Sequence, residues 1–358
     1  MPPHRCTITS TLTAGCLVVA FLIADGPPIV RGAVVVEWRP QTSGVGGRLR
    51  GVSAVSARTA WASGANGAVL RTVDGGRTWQ TLRVAGAETL DFRDVDAITD
   101  RVAYVLSIGS GESSRIYKTV DAGANWELQF RNADPKAFFD AMAFRDERHG
   151  VAFSDSVDGH FVLLTTSNGR SWDRVPVDRL PPARPGEGAY AASGTNVTLT
   201  AGHMWIGTTA GRVLRSADDG RTWTIATTGV ATGGSAGIFS VAFRDALHGV
   251  VVGGDYQQES AAVDNAAWTS DGGATWTLVK GRGLSGFRSV VAFVSVADRP
   301  NATALIAIGP TGADWSDDDG RTWTRIECAG FDTFSAAPGG HAGWAAGQGG
   351  RISGWSVP

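Results

Sequence analysis

Cysteine is scarce in this chain: three occur in 358 residues, Cys6, Cys16 and Cys328. Two fall in an N-terminal stretch expected to be removed, so a disulfide framework in the mature chain is excluded. Cys328 then reads as a small, buried side chain. Neither sign of charge dominates, with a formal net charge of -2. That gives no electrostatic case for nucleic acid or an anionic membrane as partner. No apolar run is long enough to span a bilayer comfortably; the longest, Leu12 to Ala24, is too short. The six histidines show no zinc spacing, and there is no Cys-x-x-Cys, haem-attachment or Gly-x-Gly-x-x-Gly unit. Ser316-Asp317-Asp318-Asp319-Gly320 is acidic but lacks the spaced ligands and terminal Glu of a calcium loop. No cofactor and no metal are therefore expected.

Residues 1–26 read as a secretory signal. His4 and Arg5 supply a weak positive start, and the apolar run ends before Asp25-Gly26-Pro27-Pro28. Ala14-Gly15-Cys16 resembles a lipoprotein cleavage site, but the run Leu17 to Ala24 follows the cysteine, whereas a lipobox follows the apolar core. The expectation is an exported protein of the cell envelope, periplasmic or secreted, with no membrane span in the mature chain and a monomeric state.

Glycine and tryptophan, by contrast, are plentiful, at 48 and 13 residues. They are organised by a repeat, Ser/Thr-x-Asp-x-Gly-x-Thr-Trp. It occurs around Asp74, Asp121, Asp218, Asp271 and Asp318, with a degenerate copy read as Thr165, Ser167, Gly169, Ser171 and Trp172. The six tryptophans, Trp79, Trp126, Trp172, Trp223, Trp276 and Trp323, are separated by 47, 46, 51, 53 and 47 residues. A period near 50 is that of a propeller blade. Asp in a tight turn accepts backbone N–H bonds, Gly takes a left-handed backbone and Trp fills the space between neighbouring sheets. The five aspartates are accordingly read as structural. Upstream of the turns, runs such as His149-Gly150-Val151-Ala152-Phe153 and His248-Gly249-Val250-Val251-Val252 alternate like strands.

A seventh copy is incomplete. His341 to Gly347 and Gly350 to Trp355 supply second and third strands, after which the chain stops. Val34-Val35-Val36-Glu37-Trp38-Arg39 resembles a strand that follows the turn, with Trp38 in the place of Trp79. The reading is an all-β, seven-bladed propeller of four-stranded antiparallel blades over residues 33–358, its last blade closed by the N-terminal strand.

These residues resemble the Asp-box, or BNR, repeat proteins, and more closely the plant photosystem II stability/assembly factor-like group. The resemblance rests on His-Gly-Val-x-x-Gly followed by Thr-x-Asp-Gly-Gly-x-Thr-Trp and covers almost all of the mature chain. Phe153 to Gly159 and Gly186 to Thr195 are similar to a bacterial branch often labelled "oxidoreductase", a label that no motif here supports. The resemblance implies a noncatalytic propeller that binds a partner or assists assembly. It also associates the plant-like group with an arginine-rich surface, whereas the arginines here are spread along the chain.

The largest departures from the repeat are Pro176 to Gly188 and Asp255 to Asn265, with a shorter loop at Asp155 and Asp158. All map to the face opposite the repeated turns, where propellers gather function around the channel. The candidate binding residues are Asp155, Asp158, Glu187, Asp255, Tyr256 and Glu259, expected to form a polar site at the channel mouth for an unknown protein or carbohydrate ligand. The alternative is a glycoside hydrolase using these loop carboxylates, with Tyr256 and Glu259 as the one plausible nucleophile pair. A sialidase would also need an arginine triad and an early Phe-Arg-Ile-Pro-like strand, which is absent.

Overall fold

A computed structural model describes residues 4–7, 35–296 and 302–356. The segment expected to carry the apolar part of the signal lies outside the described residues. Alternating apolar residues make short strands, and the strands form seven antiparallel sheets around one axis. Blade 1 runs from Leu49 to Leu82, blade 2 from Asp91 to Arg131, blade 3 from Phe139 to Arg174 and blade 4 from Val197 to Thr227. Blade 5 spans Ala236 to Leu278 and blade 6 spans Val290 to Ile326. Blade 7 takes Thr333–Ala336, Ala342–Ala346 and Ile352–Ser356 from the C-terminal end and Val35–Gln41 from the N-terminal end. The expected closure is therefore present, with Trp38 opposite Trp355 and Gln41 opposite Ile352. His4–Thr7 adds a fifth strand outside Val35–Gln41.

The core lies between blades. Trp38, buried at the closure, stacks on Phe331 at 5.3 Å and meets Phe334 edge-on. Trp205 of blade 4 is fully buried, lies flat on Phe243 of blade 5 at 3.7 Å, and donates its Nε1–H to Gly272 O at 2.8 Å. Such aromatic plugs bury apolar area on both sides of a seam and fix its geometry.

Near the axis a second device joins the blades. A short side chain on one inner strand accepts a backbone N–H from the next: Ser335 from Ala54 at 3.1 Å, Ser53 from Ala97 at 3.0 Å, and Ser240 from Val291 at 3.0 Å. Blade 2 uses carboxylates instead. Asp94 accepts Met142 N and Asp96 accepts Phe144 N, both at 2.7 Å.

The repeated turns close on themselves. In the first, Thr72 Oγ1 donates to Asp74 Oδ1 at 2.9 Å and accepts Gly76 N at 2.9 Å. Asp74 then accepts the Thr78 amide and hydroxyl at 3.0 and 2.7 Å, and these bonds hold its carboxyl down at about 2. Asp121, Asp218, Asp271 and Asp318 repeat the pattern. The two residues before the last x-Thr are left-handed, as at Gly75 and Gly76 with φ of 80° each. The third copy differs from its sequence alignment. Thr166 and Asn168, not Thr165 and Ser167, fill the hydroxyl and acceptor positions: Gly169 N reaches Thr166 Oγ1 at 2.9 Å, and Ser171 N reaches Asn168 Oδ1 at 3.0 Å. One left-handed residue is missing from that turn, so the true register is one residue shorter.

Candidate functional site

Four inner strands carry a β-bulge at the same place. The pairing between first and second strands skips Arg50 in blade 1, Arg93 in blade 2, Asp140 in blade 3 and Phe239 in blade 5. A bulged residue leaves the ladder, and its side chain is turned away from the alternating pattern. Here all four lie toward the end of the strand where the chain enters the blade, on the face opposite the repeated turns.

The connection into blade 4 fills the space between them. Residues 187–194, apart from half-buried Tyr190, are buried yet belong to no strand. Ala189 N donates to Asp155 of blade 3, Ala191 O accepts Arg93 of blade 2 at 3.0 Å, and Ala192 O accepts Arg50 of blade 1 at 3.4 Å. Ser193 Oγ donates to Ser289 O beside blade 6 at 2.7 Å, and Ser193 O accepts Thr333 of blade 7 at 3.5 Å. Thr195 donates to Ser240 of blade 5 at 2.8 Å. A segment that reaches the other six blades must cross the axis, so it plugs the channel. Its small residues permit this: a Cβ on Gly188 would lie 1.6 Å from Asp155 Oδ1, and one on Gly194 would lie 2.2 Å from Asp94 Oδ1. A buried irregular backbone needs hydrogen-bond partners, and the bulged Arg50 and Arg93 supply two of them.

The plug forms the floor of a cavity of about 380 Å³ at the channel mouth. One wall holds Arg48, Arg50 and Arg93; the other holds Tyr190, Phe239, Tyr256 and Phe287; Glu259 and Asp332 also line it. Arg48 is committed to Asp332 through two bonds of 2.8 and 2.7 Å, which raise its pKa against the opposing effect of burial. Arg93 is committed to Asp91 at 2.9 Å and to the plug. Arg50 is different. Among the described residues its guanidinium makes only the long bond to Ala192 O. Burial, then the neighbouring Arg48 and Arg93 charges, lower its pKa to about 10. A half-buried cation with four N–H donors unmatched by protein groups among the described residues is suited to bind an anion.

The six residues singled out from the sequence divide among different surroundings. Tyr256, 44% exposed, and Glu259 line the cavity, and among the described residues Glu259 makes no ion pair. Asp155 and Glu187 border an adjoining hollow of about 480 Å³, separated from the first by Tyr190, which lines both. Glu187 is buried and held by Arg212, by Thr208 Oγ1 at 2.6 Å and by Arg184 N at 2.8 Å. Burial pushes its pKa up, but these bonds outweigh burial and leave it below the usual value. Asp155 is raised by burial and sits against Asp140. Asp140 is itself raised well above the ordinary range by burial and then by the Asp155 charge, and its Oδ2 has no partner. Asp255 accepts Ser235 Oγ, Gln257 N at 2.9 Å and Gln258 Nε2 at 3.2 Å, and Asp158 pairs with exposed Lys136 at 2.8 Å. Asp158 and Asp255 line neither cavity. The arginines, spread along the sequence, are brought together in space. Sequence reading missed them because a bulge breaks the two-residue period that marks which strand residues face where.

Among the described residues there is no group of three or more His, Cys, Asp or Glu placed to hold a metal ion, and no helix long and apolar enough to cross a membrane.

The fold and this mouth define a seven-bladed β-propeller with a plugged channel and a cationic, aromatic pocket. The chain is similar in structure to two solved propellers. One is "YCF48 bound to D1 peptide", with a TM-score of 0.59 and 16% identity, covering 90% of this chain and 97% of that one. The other is YCF48 from Cyanidioschyzon merolae, with a TM-score of 0.59 and 17% identity, covering 89% and 98%. At that identity the likeness is one of fold. No family model matches the chain, and no curated protein matches it.

Proposed function

We propose that this is an exported, noncatalytic propeller of the cell envelope that holds an acidic segment of a partner protein at its channel mouth while the partner is assembled. The observation that carries the reading is Arg50: a partly desolvated guanidinium whose donors are largely unspent, in the wall of an open cavity. Supporting it is the fold shared with YCF48, which has been solved with a D1 peptide bound. The cavity suits a few residues of an extended chain rather than a folded domain. Hydrolysis of a glycoside is served less well. That chemistry uses a pair of carboxyl groups across the bond, and of the two carboxylates lining the cavity Asp332 is locked by Arg48.

The test is calorimetric titration of the mature protein with short peptides bearing Glu or Gln at one position. The expected result is binding of the Glu peptide that weakens with salt and falls at least tenfold in Arg50→Gln. Equal binding of both peptides, or an unaffected Arg50→Gln variant, would overturn the proposal.

A further inference from the structure

The wall facing the arginines is a second recognition element. Phe239, placed by its bulge, is stacked by Tyr190 at 3.9 Å and 8°, and met edge-on by Phe287 at 4.6 Å. Tyr256 closes the corner edge-on to both Tyr190 and Phe239, at 5.9 and 6.1 Å. The four-ring cluster at the closure, Trp38, Phe331, Phe334 and Trp355, is wholly buried, whereas these four rings line a cavity and Tyr256 remains 44% exposed. The rings are also held in place before any ligand arrives. Tyr190 donates its hydroxyl to Ala236 O at 3.2 Å. The loop bearing Tyr256 is pinned by Asp255 to Ser235, by Glu259 O to Phe287 N at 2.8 Å, and by Asp264 O to Ala231 N at 2.8 Å. A preformed aromatic corner spends little entropy on binding, and exposed tyrosine is a residue that interfaces use as an anchor.

We infer that the pocket reads a two-part signal in a peptide: an acidic group for Arg50 and, next to it, an aromatic or large aliphatic side chain for the corner formed by Tyr190, Phe239, Tyr256 and Phe287. This rests on the peptide-binding reading above and narrows it. Arg50 and Phe239 occupy the same bulge position in blades 1 and 5 and line one cavity, so a single short segment reaches both. With Arg50 on blade 1 and Phe239 on blade 5, the segment runs with its apolar residue toward blade 5 and its acidic residue toward blade 1. Burying an aromatic side chain against such a wall gives roughly a 5–30-fold gain in affinity.

Four ten-residue peptides in a Gly-Ser background test this, carrying Phe-Glu, Gly-Glu, Phe-Gln or Gly-Gln at the centre, titrated against the full chain and against Tyr256→Ser and Tyr256→Phe. The inference expects Phe-Glu to bind best, Gly-Glu to be at least fivefold weaker, Tyr256→Ser to erase that difference, and Tyr256→Phe to keep it. Because Tyr256 is exposed, an unchanged melting temperature in Tyr256→Ser shows that the fold is intact. If Phe-Glu and Gly-Glu bind alike while both depend on Glu, the aromatic reading fails and the acidic-peptide reading stands. If neither binds more tightly than its Gln counterpart, both fail together.

Discussion

The two faces of this propeller use the same repeat in opposite ways. On one face, five blades place the same residues at the same turn, and each Asp spends its lone pairs on its own loop: Asp74, Asp121, Asp218 and Asp271 are all drawn down to about 2. On the other, four blades keep the same backbone device, a bulge in the inner strand, but vary its side chain as Arg50, Arg93, Asp140 and Phe239. Two of the residues there are perturbed against their charged state: Arg50 downward and Asp140 upward. A position that repeats with its chemistry satisfied locally is a building part. A position that repeats in backbone but not in side chain, with its chemistry unsatisfied, is where a surface has been made specific.

The sharpest break of this contrast comes at the plug. Gly194 has a φ of 75° and no room for a Cβ beside Asp94. Gly194→Val should cost about 2–4 kcal/mol, read as a lowered denaturant midpoint, together with loss of peptide binding as the cavity floor shifts. A variant as stable as the parent would show that the plug is not seated as described.

On the opposite face, Asp318→Ala removes acceptors for the Thr322 amide and hydroxyl and for Ser316. The expected cost is about 1–2 kcal/mol, with peptide affinity unchanged. An effect on affinity would erase the division between the two faces.

The last expected effect is read by pH, at Asp96 on the inner strand of blade 2. Burial, partly offset by the Phe144 N–H, raises Asp96 to about 6. For a carboxyl raised on folding, stability is fully present below the unfolded value near 3.8 and is lost as pH rises through about 6. Asp96→Asn should therefore match the parent at pH 3.5 and exceed it above pH 6 by about 1–2 kcal/mol, visible as a melting temperature difference that appears only at the higher pH. For Asp74 the sign is reversed: its lowered carboxyl contributes stability above the unfolded value and loses it as pH falls toward about 2. An Asp96→Asn variant that differs from the parent equally at pH 3.5 and above pH 6 would count against the assignment.

The turn face was legible in the sequence because its logic is local. Thr72, Asp74, Gly76 and Thr78 fall within one turn, and the bonds among them span four residues or fewer. The strand that closes blade 7 was legible too, since Trp38 stands where each turn places a Trp. The single misplacement, Thr165 for Thr166, came from aligning on Gly169 and Trp172 when the turn is one residue shorter. The mouth was harder. Loops of unusual length pointed to this face and to Tyr256 and Glu259, but Arg50, Arg93 and Phe239 lie on strands and depart from period two. Their sequence context does carry a trace: Leu49-Arg50-Gly51-Val52-Ser53-Ala54 aligns with Phe92-Arg93-Asp94-Val95-Asp96-Ala97. The plug left a clearer sign, a run of Gly, Ala and Ser from Gly188 to Gly194 interrupted only by Tyr190, in a connection too apolar to be a solvated loop.

The most direct test measures two quantities on two variants in one buffer: peptide affinity and melting temperature for Arg50→Gln and Asp318→Ala, using a peptide with a central Phe-Glu pair. The account predicts that Arg50→Gln loses at least tenfold in affinity without losing stability, because it removes a poorly satisfied, half-buried charge, while Asp318→Ala loses stability and keeps its affinity. Arg50→Gln binding as tightly as the parent, or Asp318→Ala losing affinity in proportion to stability, would contradict it.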